Sequence, residues 1–176
     1  SHACGEHGVR VRAALCSGVA FASSVHDAGL QLSIEALIPF AHWVTPEIEI
    51  RRFDTRFYLA RMPEGQHAAH DDGEMTALEW VTPAEALSRC AGGTMRLPPP
   101  TWTTLAQLAR FTTVDEADAW ARTCPIPRLQ PRLFEEAGGR VVVLPGDPLW
   151  PAEIDPPFAA TRFVLHPDLG WIPAPT

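Results

Sequence analysis

A proline break followed by two-residue alternation is the feature of this chain that most restricts how it can fold. Trp43-Val44-Thr45-Pro46 closes an apolar run, and the chain restarts as Ile50-Arg51-Arg52-Phe53-Asp54-Thr55-Arg56-Phe57-Tyr58-Leu59. A strand places successive side chains on opposite faces. Phe53, Thr55, Phe57 and Leu59 therefore share one predicted face, and Asp54, Arg56 and Tyr58 the other. Alternation carried by aromatic and β-branched residues predicts a half-buried strand over Ile50–Arg61. Its start carries Arg51, Arg52 and Arg56 with a single aspartate. Arginine's planar fork suits phosphate and carboxylate oxygens, so this end of the strand is suited to an anionic ligand. The competing use of these arginines is an ion pair with Asp54, Glu47 or Glu49.

The remaining elements follow from capping and periodicity. Val11, Leu15, Ala22 and Val25 predict a helix over residues 10–28 that stops at Gly29. Leu37–Val44 reads as a strand with Pro39 near an edge. His67–Gly73 reads as a polar loop, and Met75–Val81 as a short strand anchored by Leu78 and Trp80. Thr82-Pro83-Ala84-Glu85 and Thr113–Glu116 are capping-box starts of two helices. Pro98-Pro99-Pro100 is an extended lead into a helix between them, bearing Trp102, Leu105, Leu108 and Ala109. Beyond Cys124 prolines become dense. Val141–Leu144 and Thr161–Leu165 read as strands, and Asp168-Leu169-Gly170 as a turn. The predicted division is residues 1–124 as an α/β domain and 125–176 as a proline-rich C-terminal appendage with a small sheet, or alternatively a homodimer contact.

Composition excludes several classes. A net charge of −7 argues against general nucleic-acid or membrane-surface binding. All 14 basic residues are arginine, which we read as compositional bias rather than function. No window is apolar and long enough to span a bilayer. Cys4, Cys16, Cys90 and Cys124 form no C-x-x-C pair, which predicts reduced thiols in a cytoplasmic protein.

The segment from Trp43 to Tyr58 resembles the acyl-CoA diphosphatase branch of the Nudix hydrolases. The likeness continues in order through Asp72-Gly73-Glu74, Glu79-Trp80-Val81-Thr82-Pro83-Ala84-Glu85-Ala86-Leu87 and Leu97-Pro98-Pro99-Pro100-Thr101, covering about residues 10–111. The resemblance implies an α/β/α sandwich with a mixed sheet, and cleavage of a pyrophosphate in CoA-type or nucleotide-type substrates with Mg2+ or Mn2+. It also implies a role for Glu74 as metal ligand or base, and for Arg51, Arg52 and Arg56 in holding the phosphates of a small-molecule diphosphate. The family's catalytic motif, G-x5-E-x7-R-E-x2-E-E-x-G, is not found in this chain. The expectation is therefore a Nudix-like fold whose N-terminal part lies outside the sequence, with negligible hydrolysis by this chain alone. The alternative is a non-catalytic module that binds a nucleotide-like ligand or a partner.

Two decoys are set aside. Arg132-Leu133-Phe134-Glu135-Glu136-Ala137-Gly138 looks like the end of that motif, but the arginine is one residue too close to the glutamates and prolines flank its start. His67 and His70 would face one way only on a helix, which this polar stretch does not predict.

Overall fold

The computed structural model describes residues 2–65 (side chains from His7 onward), 68, 77–136, 138–152 and 158–174. The chain forms two compact units, one of Ser1–Leu37 with Ala60–Trp80, the other of Ile38–Leu59 with Val81–Thr176. In the first, the single helix expected over residues 10–28 is two. Helix α1 spans His2–Cys16 and α2 spans Phe21–Asp27. Between them Gly18 takes φ +83°, a left-handed conformation that ends α1. Gly29, also left-handed, follows α2 at its predicted stop. A single 3-10 turn covers Ile34–Ala36. Residues 77–80 form no strand, and Trp80 is 73% exposed, so the predicted Leu78 and Trp80 anchors are not core residues. No helix among the described residues is long and apolar enough to cross a membrane.

The second unit carries the main core. Strand β1 (Ile38–Val44) pairs antiparallel with β2 (Asp54–Leu59) and parallel with β3 (Arg128–Leu129), giving a mixed sheet in the order β2-β1-β3. β2 begins four residues later than the alternation predicts. The reason is local: Thr45 clamps Phe53 through both its backbone N–H, which donates to the Phe53 carbonyl, and its Oγ1, which accepts from the Phe53 N–H at 2.9 Å. The intervening chain turns, with the Glu49 N–H donating to the Pro46 carbonyl. Arg51 and Arg52 are thereby on a loop rather than on the strand.

Helices α3 (Pro83–Ala91), α4 (Pro99–Leu108) and α5 (Val114–Thr123) follow. Thr82 accepts from the Glu85 N–H at the start of α3, as its sequence predicts. Pro99 and Pro100 do not stay outside the helix. They occupy its first turn, where a missing N–H leaves nothing unsatisfied. At α5 the capping box is complete: Thr113 Oγ1 accepts from the Glu116 N–H, and Glu116 Oε2 accepts from the Thr113 N–H. Thr113→Ala is expected to cost about 1 kcal/mol, read as a lower urea midpoint with an unchanged slope. The buried face of α5 meets β1 through Ile38, Phe40 and Ala121, with Trp120 and Phe40 rings 5.6 Å apart.

A second, wholly antiparallel sheet runs β4-β5-β6-β7, from β4 (Arg132–Glu136) and β5 (Gly139–Val143) to β6 (Arg162–His166) and β7 (Gly170–Ala174). The decoy motif at Arg132 is thus a strand paired with β5, from Arg132 opposite Val143 to Glu136 opposite Gly139. Described residues of the segment read from sequence as an appendage share one core with β1. Trp43 and Leu129 pack with Val142, Leu144 and Phe163, and Trp102 meets Phe163 edge-on at 5.4 Å. Prolines and short strands suggested a peripheral segment. The long-range partners that bury it leave no local mark in sequence. The fold class is α/β, and the described residues include five α-helices, one mixed sheet and one antiparallel sheet.

Candidate functional site

Alternation along β2 decides which side chains can meet a ligand. Thr55 and Phe57 stand on the face shared by Trp43, and together with Phe53 they line a cleft of about 400 Å³. The opposite wall is the Pro98–Thr101 corner at the start of α4. Leu133, Val142 and Trp171 of the antiparallel sheet also line it, and Thr45, Pro46, Glu49 and Arg51 of the β1–β2 loop complete the lining. The lining is mainly apolar, with a small number of polar groups supplied by the loop, the usual make-up of a small-molecule site.

Of the sequence-predicted site residues among those described, Arg51 alone lines this cleft. Arg52 Nε donates to the Thr45 carbonyl at 3.4 Å, a long bond that directs it back along its own loop. Arg56 lies on the other face of the sheet, its Nη1 3.9 Å from Asp54 Oδ1. There Asp54 also accepts a 2.7 Å hydrogen bond from His42 Nε2. That bond, reinforced by the nearby His42, Arg56 and Arg128 charges and opposed by partial desolvation, holds the Asp54 carboxyl below its ordinary pKa. The three arginines are therefore divided by strand geometry, and the ion pair that the sequence left open for Arg56 is formed. Glu49, the other charged lining residue, accepts from Arg140 Nη2 on β5, which ties the loop to the antiparallel sheet.

Glu74 lies outside the described residues, as do His67 and His70. Among the described residues no three His, Cys, Asp or Glu side chains converge where a metal ion could be held. Their better-placed carboxylates are engaged by basic side chains: Glu49 by Arg140, Asp54 by His42, and Asp147 and Glu136 by Arg162. The described residues therefore do not furnish the hard-oxygen ligand set that Mg2+ or Mn2+ requires. What the cleft can do with the groups present is hold a largely apolar molecule and meet an anionic part of it at Arg51.

A pocket shaped in part by the C-terminal segment is the expectation from sequence, but which of its residues do so carried no local signal. Pro131, Leu133, Val142 and Trp171 come from the segment set apart as an appendage. Only the triple proline gave a local signal, as part of the family resemblance.

An α/β fold with a mixed sheet, and a cleft built on the Trp43–Tyr58 segment, fit the Nudix superfamily in its acyl-CoA diphosphatase-like branch. Comparison makes this specific. Residues 17–108, more than half the chain, match the NUDT19 Nudix domain, and the chain belongs to that family. It is similar to the acyl-coenzyme A diphosphatase NUDT19 of Xenopus laevis, 31% identical over 130 residues, covering 70% of this chain and 34% of that protein. The proteins of the same name from Gallus gallus and Homo sapiens are each 30% identical, covering 69% of this chain and 34% of theirs. The chain thus spans about a third of the length of the curated relatives it matches. No solved structure matches. Nudix hydrolases as a family use divalent metal ions.

Proposed function

We propose that this chain carries a substrate-binding part of an acyl-CoA-type diphosphatase, and that its cleft receives the apolar portion of a CoA-like diphosphate while Arg51 meets a phosphate. The observation that carries the reading is the placement of Arg51 at the loop end of a mainly apolar cleft of about 400 Å³, whose other charged lining residue, Glu49, is paired with Arg140. The names of the relatives support the substrate class. Arg52 and Arg56 are then supporting groups, the first bracing the Thr45 turn and the second paired with Asp54. Glu74 is assigned to a Mg2+ or Mn2+ ion, or to its water, on family likeness alone. Metal-dependent pyrophosphate hydrolysis needs further glutamates of the missing motif, so the 176 residues by themselves are expected to turn over negligibly.

Calorimetric titration with coenzyme A tests this. The expected result is saturable binding that Arg51→Gln weakens about 10-fold or more, as for loss of a charge-assisted hydrogen bond, while Arg56→Gln leaves it within about twofold. No binding, or equal effects of the two substitutions, would remove the reading. Turnover at an ordinary enzymatic rate with Mg2+, abolished by Glu74→Gln, would show that the chain is catalytically complete. Tight binding indifferent to metal, without turnover, would favour a purely binding module.

A further inference from the structure

A second cleft, of about 460 Å³, adjoins the first. Pro46, Pro131 and Leu133 line both, so the two share a wall formed by the β1–β2 loop and the start of β4. The lining of the second cleft is different in kind. Trp150 and Phe134 contribute aromatic rings, and the Arg132 guanidinium stands 5.6 Å from the centre of the Phe134 ring. Gln130 and Glu47 contribute the polar edge.

Three features define what would fit there. The first is an aromatic lining with a guanidinium beside it. Planar heterocycles stack on aromatic rings and on guanidinium planes, and both are present. The second is rigidity. The Trp150 N–H donates to the Asp147 carbonyl at 2.8 Å, and the Asp147 side chain is buried, accepting from the Leu149 N–H and from Arg162. Trp150 therefore sits on a fixed turn. The third is a donor and an acceptor on the lining of one cleft. Arg128 Nη1 donates to Gln130 Oε1, which leaves the Gln130 amide N–H2 as its donor, and the Glu47 carboxylate can only accept. Adenine presents an exocyclic N–H2 next to a ring-nitrogen acceptor and complements that pair. Glu47 and Arg132 carry opposite charges, which suits a neutral ring better than a free anion.

We propose that this second cleft is a nucleobase pocket, taking the adenine ring of a ligand whose other half occupies the first cleft. It rests on the reading of the first cleft given above, and it adds a separate contact surface with its own residues.

The test uses the full chain, calorimetry and three probes: coenzyme A, 4′-phosphopantetheine (which lacks the adenosine half) and adenosine 3′,5′-bisphosphate. Coenzyme A is expected to bind at least 10-fold tighter than 4′-phosphopantetheine. Trp150→Ala should weaken coenzyme A and the bisphosphate by about 10–100-fold, the range for removal of one base-stacking ring, and leave 4′-phosphopantetheine unchanged. Trp150→Phe should retain most of the affinity. Should Trp150→Ala fail to fold, Phe134→Leu and Gln130→Leu are read the same way. Equal affinities of the wild type for coenzyme A and 4′-phosphopantetheine, or a folded Trp150→Ala that keeps the difference, would overturn the pocket while sparing the first cleft. Binding of the bisphosphate alone, lost in Trp150→Ala, would keep the pocket and remove the first-cleft reading. Binding of none of the three would remove both.

Discussion

Phe163→Ala is expected to lower the unfolding free energy by about 3–5 kcal/mol, the usual cost of emptying a buried phenylalanine site. For a chain of this size that corresponds to a fall in Tm of roughly 6–20 °C. Phe163, the second residue of β6, is fully buried. It packs with Trp43 and Leu129 of the mixed sheet and with Val142 and Leu144 of the antiparallel one. Trp102 of α4 meets it edge-on, so one side chain joins three layers. Two rigid sheets and a helix cannot close over the missing ring, because interiors are packed at crystal-like density and relax only in part. Thermal or urea unfolding followed by circular dichroism measures the effect. A loss below about 1 kcal/mol would mean that residues 158–174 are peripheral after all, and that the shared core described here is wrong.

Arg162→Met should have a comparable effect for a different reason, about 3 kcal/mol. Its guanidinium donates Nε to Asp147 Oδ2 at 2.9 Å and Nη2 to Oδ1 at 3.0 Å, a bidentate pair. The Asp147 side chain is fully buried, and Arg162 is 18% exposed. Removing the cation leaves a carboxylate in the interior with only the Leu149 N–H to satisfy it, and an uncompensated buried charge of this kind is strongly destabilising. The hydrogen bond to Asp147, ahead of the burial that opposes it, raises the arginine pKa, so Arg162 remains charged at any working pH. The second contact, to the more exposed Glu136, contributes little. The pair differs from a simple packing contact in one testable respect. Arg162→Met combined with Asp147→Leu should be less destabilised than Arg162→Met alone, because the orphaned charge is gone. Losses that simply add across the double-mutant cycle would show that the two side chains do not act together.

That second result bears on the nucleobase pocket as well. Asp147 anchors the turn on which Trp150 stands. An Arg162 substitution that loosens the turn should therefore also weaken binding of adenosine 3′,5′-bisphosphate, without touching the pocket directly.

Local chemistry was legible wherever a few neighbouring residues decide the backbone. Thr82 and Thr113 cap the helices their sequences mark, because a side-chain oxygen needs only the N–H groups two or three residues ahead. Gly29 follows α2 because a left-handed residue is needed there. The period-two pattern correctly assigned Thr55 and Phe57 to one face and Asp54 and Arg56 to the other. The same reading ran the strand too far toward its start, since the Thr45–Phe53 clamp and the Pro46–Glu49 turn are set by pairing across the hairpin. The apolar character of Leu78 and Trp80 predicts burial, and the described chain exposes both.

The sequence by itself determined the Nudix resemblance, three capped or proline-led helices and the two faces of β2, all of which depend on contacts a few residues apart or on an ordered set of short motifs. Only the tertiary structure decided that Arg51, and not Arg52 or Arg56, lines the cleft, and that Leu133, Val142 and Trp171 line it too while Leu129, Leu144 and Phe163 share the core with Trp43. Those outcomes depend on contacts between segments far apart in the chain, such as the parallel pairing of His42 with Arg128, and such contacts are fixed by global packing rather than by any local pattern.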